Sequence, residues 1–182
     1  MKLEIHVVSV TSVRSLVGLF DRIDNFLPKD VFECMEDFLM DGRTDNGIKW
    51  SYKEAMSHED DTDGFLFDNV ILNGHFKCQD LFLRVGVPII SRIPMKELYR
   101  IKINCHPHQH NRPKSAFHTD DTEPHKTAIF MINSCDGYTE FEDGTKLDSV
   151  RNTLYIFDGS ILHRSVGQTD SKIRININVN FN

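Results

Sequence analysis

The chain has 182 residues, of which 40% are hydrophobic and 26% are charged, and its formal net charge is −6. This length and composition are typical of one globular domain with a sizeable core, and no repeat or linker divides the sequence. No apolar run approaches the roughly 20 residues that a membrane-spanning helix needs. The acidic balance disfavours sequence-independent binding to nucleic-acid phosphates, which requires a basic surface.

The four cysteines are scattered along the chain without a CxxC pair. Such spacing favours reduced thiols over disulfides or a zinc site. The first residues, from Met1 to His6, lack the apolar region of a signal peptide. We therefore expect a cytoplasmic protein.

The first half of the chain, residues 1–98, predicts an N-terminal strand and helical support for the second half. Residues 1–10 alternate between apolar and polar side chains, as in a strand. Residues 28–40 predict a helix, because a proline suits the first turn and apolar residues follow at helical spacing. The acidic run at residues 59–64 lacks the ligand spacing of an EF-hand and predicts a solvated loop. Residues 65–98 mix apolar and basic side chains and are expected to include helical cover.

The second half, residues 99–182, predicts a β-rich core within the same domain. Short runs of β-branched and aromatic residues alternate there with Asp-Gly turns. Closely spaced short strands of this kind indicate a sandwich or a barrel. The predicted strands are Arg100–Cys105, Lys126–Asn133, Tyr138–Glu142, Thr153–Phe157 and Ile173–Phe181.

The last predicted strand separates two kinds of side chain. Alternate positions from Ile173 to Phe181 are apolar, whereas Arg174 and three asparagines occupy the positions between them. Residues two apart share one face of a strand, so one face predicts a core and the other predicts water or a polar cavity. Inside a cavity, Arg174 needs an anionic partner, because an unpaired buried charge is costly.

Three residues can form a metal site of two histidines and one carboxylate. His118 and Asp120 lie two positions apart, so they share one face of an extended segment. His163 follows the strand that ends at Phe157, and antiparallel strands can return it to the same end of the fold. Asp121 is a second carboxylate near His118, but it points to the opposite face. These ligands suit Fe(II) and also Mn(II), Zn(II) and Ni(II).

The segment from His118 to Phe181 resembles the catalytic core of the Fe(II)- and 2-oxoglutarate-dependent dioxygenases. After the His-x-Asp triplet, the residues from Gly137 to Phe141 are similar to the Gly-x-Thr-x-Phe stretch of the prolyl-4-hydroxylase-like branch. His163 and Arg174 then follow in the order of that branch. As a whole, the sequence most resembles those of small bacteriophage oxygenases.

The resemblance implies a double-stranded β-helix, which is a jelly roll that is mainly β with flanking helices. It implies that His118, Asp120 and His163 bind Fe(II) and are the catalytic residues, and that Arg174 binds the distal carboxylate of 2-oxoglutarate. The other cosubstrate would be O2, with ascorbate in a supporting role. The reaction would hydroxylate a substrate and convert 2-oxoglutarate to succinate and CO2.

The chain departs from the prolyl hydroxylases at two tyrosines of the cosubstrate site. Met131 stands in place of one tyrosine, and Asn104 or its neighbour stands in place of the other. We expect Asn104 and Asn176 to rebuild these contacts. By resemblance, the substrate is a protein or peptide side chain, with a nucleobase second, and a viral protein would act in the host cytoplasm. The alternative is a non-catalytic jelly roll that binds a metal.

Two further patterns leave alternatives open. His106, His108 and His110 can form a second metal site, although a loop at the rim of a pocket is favoured. Arg100 and Lys102 share a strand face with Asn104. That face either lines the interior beside Arg174 and contacts the substrate, or is exposed to solvent.

Overall fold

Most of the chain is described by a computed structural model. The described residues are 13–14, 18–41, 47–57, 63–121 and 123–182. This part of the chain contains twelve strands. They are β1 (Val13–Arg14), β2 (Phe20–Asp24), β3 (Ser51–Lys53), β4 (Leu66–Asn73), β5 (His75–Phe76), β6 (Leu98–Pro107), β7 (Lys126–Met131), β8 (Cys135–Phe141), β9 (Lys146–Ser149), β10 (Thr153–Asp158), β11 (His163–Val166) and β12 (Ile173–Phe181).

The helices flank these strands. Helix α1 is Lys29–Met40, and a second helical segment consists of α2 (Gln79–Leu81), a π-helical turn (Phe82–Gly86) and α3 (Val87–Ile90). None of the helices in the described ranges is long and apolar enough to cross a membrane.

Two antiparallel sheets face each other. The large sheet has the order β1-β2-β10-β7-β12-β6-β4-β3, and β5 pairs with β4. The small sheet has the order β11-β8-β9, and isolated bridges from Lys114 and His118 to β11 extend it. The fold is therefore mainly β with flanking helices, and the expected double-stranded β-helix is confirmed.

The two faces of the large sheet have different surroundings. The outer face packs against α1 and the second helical segment, and isoleucines such as Ile101 and Ile177 form the main core there with Phe32 and Ile89. The inner face is turned toward the small sheet. One part of that inner face is apolar, around Tyr155, and the part formed by β6 and β12 borders a polar cavity.

Helix α1 covers the large sheet in the way that its sequence predicts. Pro28 precedes the first helical residue, and Phe32, Met35 and Leu39 are buried at helical spacing. The ring of Phe32 meets that of Phe130 on β7 edge to face, with 5.9 Å between the centroids. Edge-to-face contact adds to the hydrophobic burial and fixes the position of the helix on the sheet.

Residues 65–98 include the predicted helical cover, and they also contain a strand that the sequence did not predict. Residues 79–90 are helical, but β4 precedes them and pairs with β6 in the large sheet. The chain turns from β4 into β5 at Gly74, whose positive φ of 65° favours glycine. Buried and half-buried residues do not alternate strictly along β4, because its pairing with β6 contains a bulge. The period-two pattern of a strand is therefore not evident in this segment. The strand predicted over residues 1–10 lies outside the described residues.

Asn152, in the turn between β9 and β10, forms hydrogen bonds to the segment that precedes α1. Its buried side chain accepts a hydrogen bond from the Leu27 N–H at 3.0 Å and donates one to the Leu27 carbonyl at 2.9 Å. Asn152→Ala would leave both backbone groups without partners, so we expect the free energy of unfolding to fall by about 2 kcal/mol. Urea denaturation measures this loss. The exposed Asn73→Ala is the control and should change stability by less than about 0.5 kcal/mol; equal losses would contradict the assignment.

Candidate metal centre

His118, Asp120 and His163 come together beside the cavity between the two sheets. One ligand atom from each residue lies within 4.8 Å of the others. His118 and His163 face each other across an isolated bridge, in which each backbone N–H donates to the other residue's carbonyl at 2.9 and 3.0 Å. Asp120 lies two residues beyond His118. The three side chains can cover one face of a metal ion and leave the opposite face to the cavity.

Backbone carbonyls orient both imidazoles. Nδ1 of His163 lies 2.9 Å from the Ile161 carbonyl oxygen, and Nδ1 of His118 lies 3.1 Å from that of Ala116. Because a carbonyl oxygen only accepts, Nδ1 carries the proton in each ring and Nε2 is the basic nitrogen. The ring of Phe157 also packs edge-on against His163, with 5.2 Å between the centroids. Metal-binding histidines are typically held by such hydrogen bonds.

Asp120 is held as a carboxylate by two donors. Its Oδ2 accepts hydrogen bonds from Thr127 Oγ1 and Asn180 Nδ2, each at 3.0 Å. Burial raises the pKa of Asp120, but the electrostatic influence of the neighbouring His163 and the hydrogen bond from Asn180 outweigh burial and hold the pKa below its ordinary value. The two donors occupy one oxygen. The other oxygen accepts no hydrogen bond from the described residues and is the one that can bind a metal.

Strands β6 and β12 line the cavity with a ladder of polar side chains. Their register places Arg174 opposite His106, Asn176 opposite Asn104, Asn178 opposite Lys102 and Asn180 opposite Arg100. The apolar residues between them face the main core, since side chains alternate along a strand. The prediction that β12 separates a core from a polar cavity is confirmed. Arg100 and Lys102 border the cavity, so the alternative of a solvent-exposed face is wrong for them.

Arg174 is buried at the end of this ladder and has an exposed fraction of 0%. Its guanidinium donates to the carbonyls of Tyr138 and Val166 at 2.9 Å and to Ser165 Oγ at 2.6 Å. A Cβ at Gly137 would lie 3.1 Å from Arg174 Nη1, so the glycine makes room for the guanidinium. This close approach gives a physical reason for glycine at the start of the Gly-x-Thr-x-Phe stretch.

No carboxylate neutralises Arg174 among the described residues, and its Nε has no hydrogen-bond partner. Burial lowers the pKa of Arg174 to about 10, so the group stays charged at neutral pH. A buried charge without a partner is costly. The position of Arg174 therefore suits a ligand that carries an anionic group.

Asn104 and Asn176 lie next to each other in the ladder. Nδ2 of Asn104 donates to Oδ1 of Asn176 at 3.0 Å, and both residues are buried and border the cavity. Along β12, Asn176 stands between Arg174 and Asn180, which holds Asp120. The two residues are therefore placed where a molecule that joined the metal to Arg174 would pass.

Met131, which stands where a tyrosine was expected, lies opposite Asn176 on the other side of β12. Its side chain is fully buried and packs in the apolar cluster between the sheets. A thioether donates no hydrogen bond. Donors to an anion near Arg174 must therefore come from other strands.

His106 can supply such a donor, and the sequence pattern alone did not indicate it. It is 3% exposed, borders the cavity beside Arg174, and has no hydrogen-bond partner at Nδ1. Burial, Arg174 and Lys102 hold its pKa well below the ordinary value, so the ring is neutral. The rim interpretation is wrong for His106 and fits the exposed His108 and His110. The signal was the alternation of β6, which continues beyond Cys105 to His106.

The comparisons with known proteins concern the fold alone. No protein-family model and no curated protein matches the sequence. Among solved structures, the chain is similar to a prolyl hydroxylase from Trichoplax adhaerens in complex with a hypoxia-inducible-factor peptide, with 13% identity over 91% of this chain and 84% of that chain and a TM-score of 0.63. It is also similar to a Pseudomonas putida prolyl-4-hydroxylase, with 14% identity over 91% and 92% and a TM-score of 0.59.

A third similar structure is an α-ketoglutarate-dependent epimerase from nogalamycin biosynthesis, with 8% identity over 90% of this chain and 77% of that chain and a TM-score of 0.61. The chain therefore shares the fold of these three proteins. Identities this low leave the assignment of a function in this oxygenase fold to the chemistry of the site.

Asp120 and Asp121 offer a matched pair for testing which carboxylate binds a metal. Asp121 is exposed and accepts a hydrogen bond from the Glu123 N–H at 3.4 Å, outside the cluster. Removing an outer-shell partner of a metal ligand costs about 10–100-fold in affinity, so Asp120→Ala should weaken Mn(II) binding by at least about 100-fold. Asp121→Ala should bind Mn(II) like the wild type. Calorimetric titration with Mn(II) measures both, and a larger loss in Asp121→Ala would contradict the site.

Proposed function

We propose that this protein is an Fe(II)- and 2-oxoglutarate-dependent oxygenase that hydroxylates its substrate. His118, Asp120 and His163 bind the metal, and Arg174 binds the distal carboxylate of 2-oxoglutarate. The observation that carries the proposal is Arg174 itself. It is a fully buried guanidinium without a carboxylate partner in the described chain, at the end of a cavity that begins at three metal-binding side chains.

The residues present suit both groups. Two neutral imidazoles and one carboxylate suit Fe(II), and three protein ligands leave coordination positions for a bidentate 2-keto acid and oxygen. A guanidinium matches a carboxylate in charge and geometry. When bound, the metal and 2-oxoglutarate supply the oxidising chemistry, with succinate and CO2 as products.

The chain's own groups position and isolate this chemistry. Asn180 and Thr127 hold Asp120 in place, and backbone carbonyls fix the two imidazoles. Asn104 and Asn176 are proposed to contact the cosubstrate along the ladder. The apolar residues around Tyr155 exclude water from the neighbouring space between the sheets.

The proposed substrate is a protein or peptide side chain, with a nucleobase as the second class. One protein of similar fold is a prolyl hydroxylase in complex with a peptide fragment, which supports the first class. The net charge of −6 gives no support to nucleic-acid binding. O2 is the second cosubstrate, and ascorbate is proposed to support turnover.

The proposal is tested by succinate formation. The wild type, supplied with Fe(II), 2-oxoglutarate, ascorbate and air, should release succinate even without substrate, through slow uncoupled turnover. Asp120→Ala should release none above the metal-only background. Absence of succinate from wild-type protein that binds both metal and 2-oxoglutarate would favour the non-catalytic jelly roll.

Arg174→Met should strongly weaken the binding of 2-oxoglutarate. The substitution keeps the apolar stem but removes a charge-assisted, two-point contact of about 3 kcal/mol, so affinity should fall about 100-fold. Calorimetric titration of 2-oxoglutarate into Mn(II)-loaded protein measures the loss. Because Arg174 is buried, Arg174→Lys is made in parallel and should retain part of the affinity. Equal binding by wild type and both variants would overturn the role of Arg174.

His106→Ala should weaken 2-oxoglutarate binding about tenfold, because one hydrogen bond to a charged acceptor is lost. The control ligand is 2-oxopentanoate, which has the keto acid but lacks the distal carboxylate. If His106 contacts that carboxylate, the binding of 2-oxopentanoate to the Mn(II)-loaded protein stays the same. A parallel loss for both ligands would assign His106 a structural role instead.

A further inference from the structure

Strand β6 carries two cations that the proposed cosubstrate site does not use. Arg100 and Lys102 both border the cavity. In the register with β12, Arg100 lies opposite Asn180, whose amide holds Asp120. Arg100 is therefore level with the metal-binding cluster, at the opposite end of the ladder from Arg174. This is the part of the cavity that 2-oxoglutarate, bound between the metal and Arg174, leaves open.

The two cations differ in their partners. Lys102 Nζ lies 3.5 Å from Asp68 Oδ2, and both side chains are largely buried, with exposed fractions of 17% and 5%. Within the described ranges Arg100 has neither an ion pair nor a hydrogen bond. Lys102 is thus paired with a carboxylate inside the protein, whereas Arg100 acts on Asp120 only from beyond ion-pair distance.

A count of the charges in the site with the metal and 2-oxoglutarate bound also indicates an excess positive charge. Among the described residues, three cations line the cavity (Arg100, Lys102 and Arg174), together with the carboxylate of Asp120, and Asp68 pairs with Lys102. A divalent metal and the dianion of 2-oxoglutarate cancel each other. Over the described residues, the loaded site therefore keeps one positive charge in excess, and Arg100 is the cation that lies beside the metal without an ion-pair partner.

We propose that Arg100 binds an anionic group of the substrate, a carboxylate or a phosphate, beside the metal. This inference rests on the proposed function and narrows its substrate class to molecules that carry an acidic group near the oxidised carbon. A guanidinium fork pairs with either oxyanion through two hydrogen bonds. Lys102 keeps its own partner and adds a second donor at the base of this subsite.

The test measures anion binding close to the metal. Protein in excess over Mn(II) is saturated with 2-oxoglutarate, and inorganic phosphate or acetate is added as the probe. Mn(II) enhances the nuclear relaxation of a nearby nucleus with a steep dependence on distance, so 31P and acetate 1H relaxation report binding at the site. The variant is Arg100→Met. Arg84→Met is the matched control, because Arg84 pairs with Asp80 on the second helical segment and lies outside the cavity.

Wild type and Arg84→Met should enhance the relaxation of at least one probe, and Arg100→Met should bind that probe about tenfold more weakly. Stronger binding of phosphate indicates a phosphorylated substrate, and stronger binding of acetate indicates a carboxylic acid. Arg100→Lys should retain part of the affinity. Direct binding of a probe to the metal would persist in Arg100→Met, so unchanged relaxation in that variant overturns the inference, as does the absence of binding in the wild type.

The result is distinguishable from a failure of the proposed function. If 2-oxoglutarate does not bind to the Mn(II)-loaded wild type, the proposed function fails before any probe is added. If 2-oxoglutarate binds but the probes show no dependence on Arg100, the oxygenase proposal stands and the anionic substrate is excluded.

Discussion

The inner cavity depends on one constraint, which is that the guanidinium of Arg174 is buried and no carboxylate of the described residues pairs with it. Carbonyl oxygens of two strands and one hydroxyl satisfy part of Arg174, but they do not neutralise it. Burial of such a charge costs several kcal/mol unless an anion completes the site. Gly137 makes room for the group, and the neutral His106 beside it adds no second charge. His118, Asp120 and His163, which could hold a metal ion, lie at the other end of the ladder.

The alternation of strand β12 makes this arrangement compatible with a stable fold. Its isoleucines, valine and phenylalanine belong to the main core against the helices, while its arginine and asparagines face the small sheet. A slip of one residue would exchange the two faces, bury the polar ladder in the core and expose the isoleucines. The central strand therefore specifies the register of the sheet and the position of the site together. The pairing with β6 extends the polar ladder on one side, and Thr127 on β7 completes the support of Asp120 on the other.

The sequence was most informative where period-two alternation or a metal-ligand spacing was strict. The triplet from His118, the distant His163 and the faces of β12 were all predicted from such patterns. The strand Leu66–Asn73 was missed because it mixes buried and half-buried residues on both faces and contains a bulge. The strand that begins at His163 is only four residues long and pairs with β8, so it has little pattern of its own. His106 was missed because the predicted strand ended at Cys105 and the following histidines were assigned to a loop at the rim, whereas β6 continues to Pro107.

The central claim is that the open face of the metal receives the keto-acid end of 2-oxoglutarate while Arg174 receives the other end. Anaerobic visible absorption spectroscopy of the Fe(II)-loaded protein tests it most directly, because a 2-keto acid that chelates Fe(II) gives a metal-to-ligand charge-transfer band. We expect the band to appear on addition of 2-oxoglutarate and to be absent with glutarate, which has both carboxylates but no keto group. An Fe(II)-loaded protein that binds 2-oxoglutarate without developing the band would contradict the account.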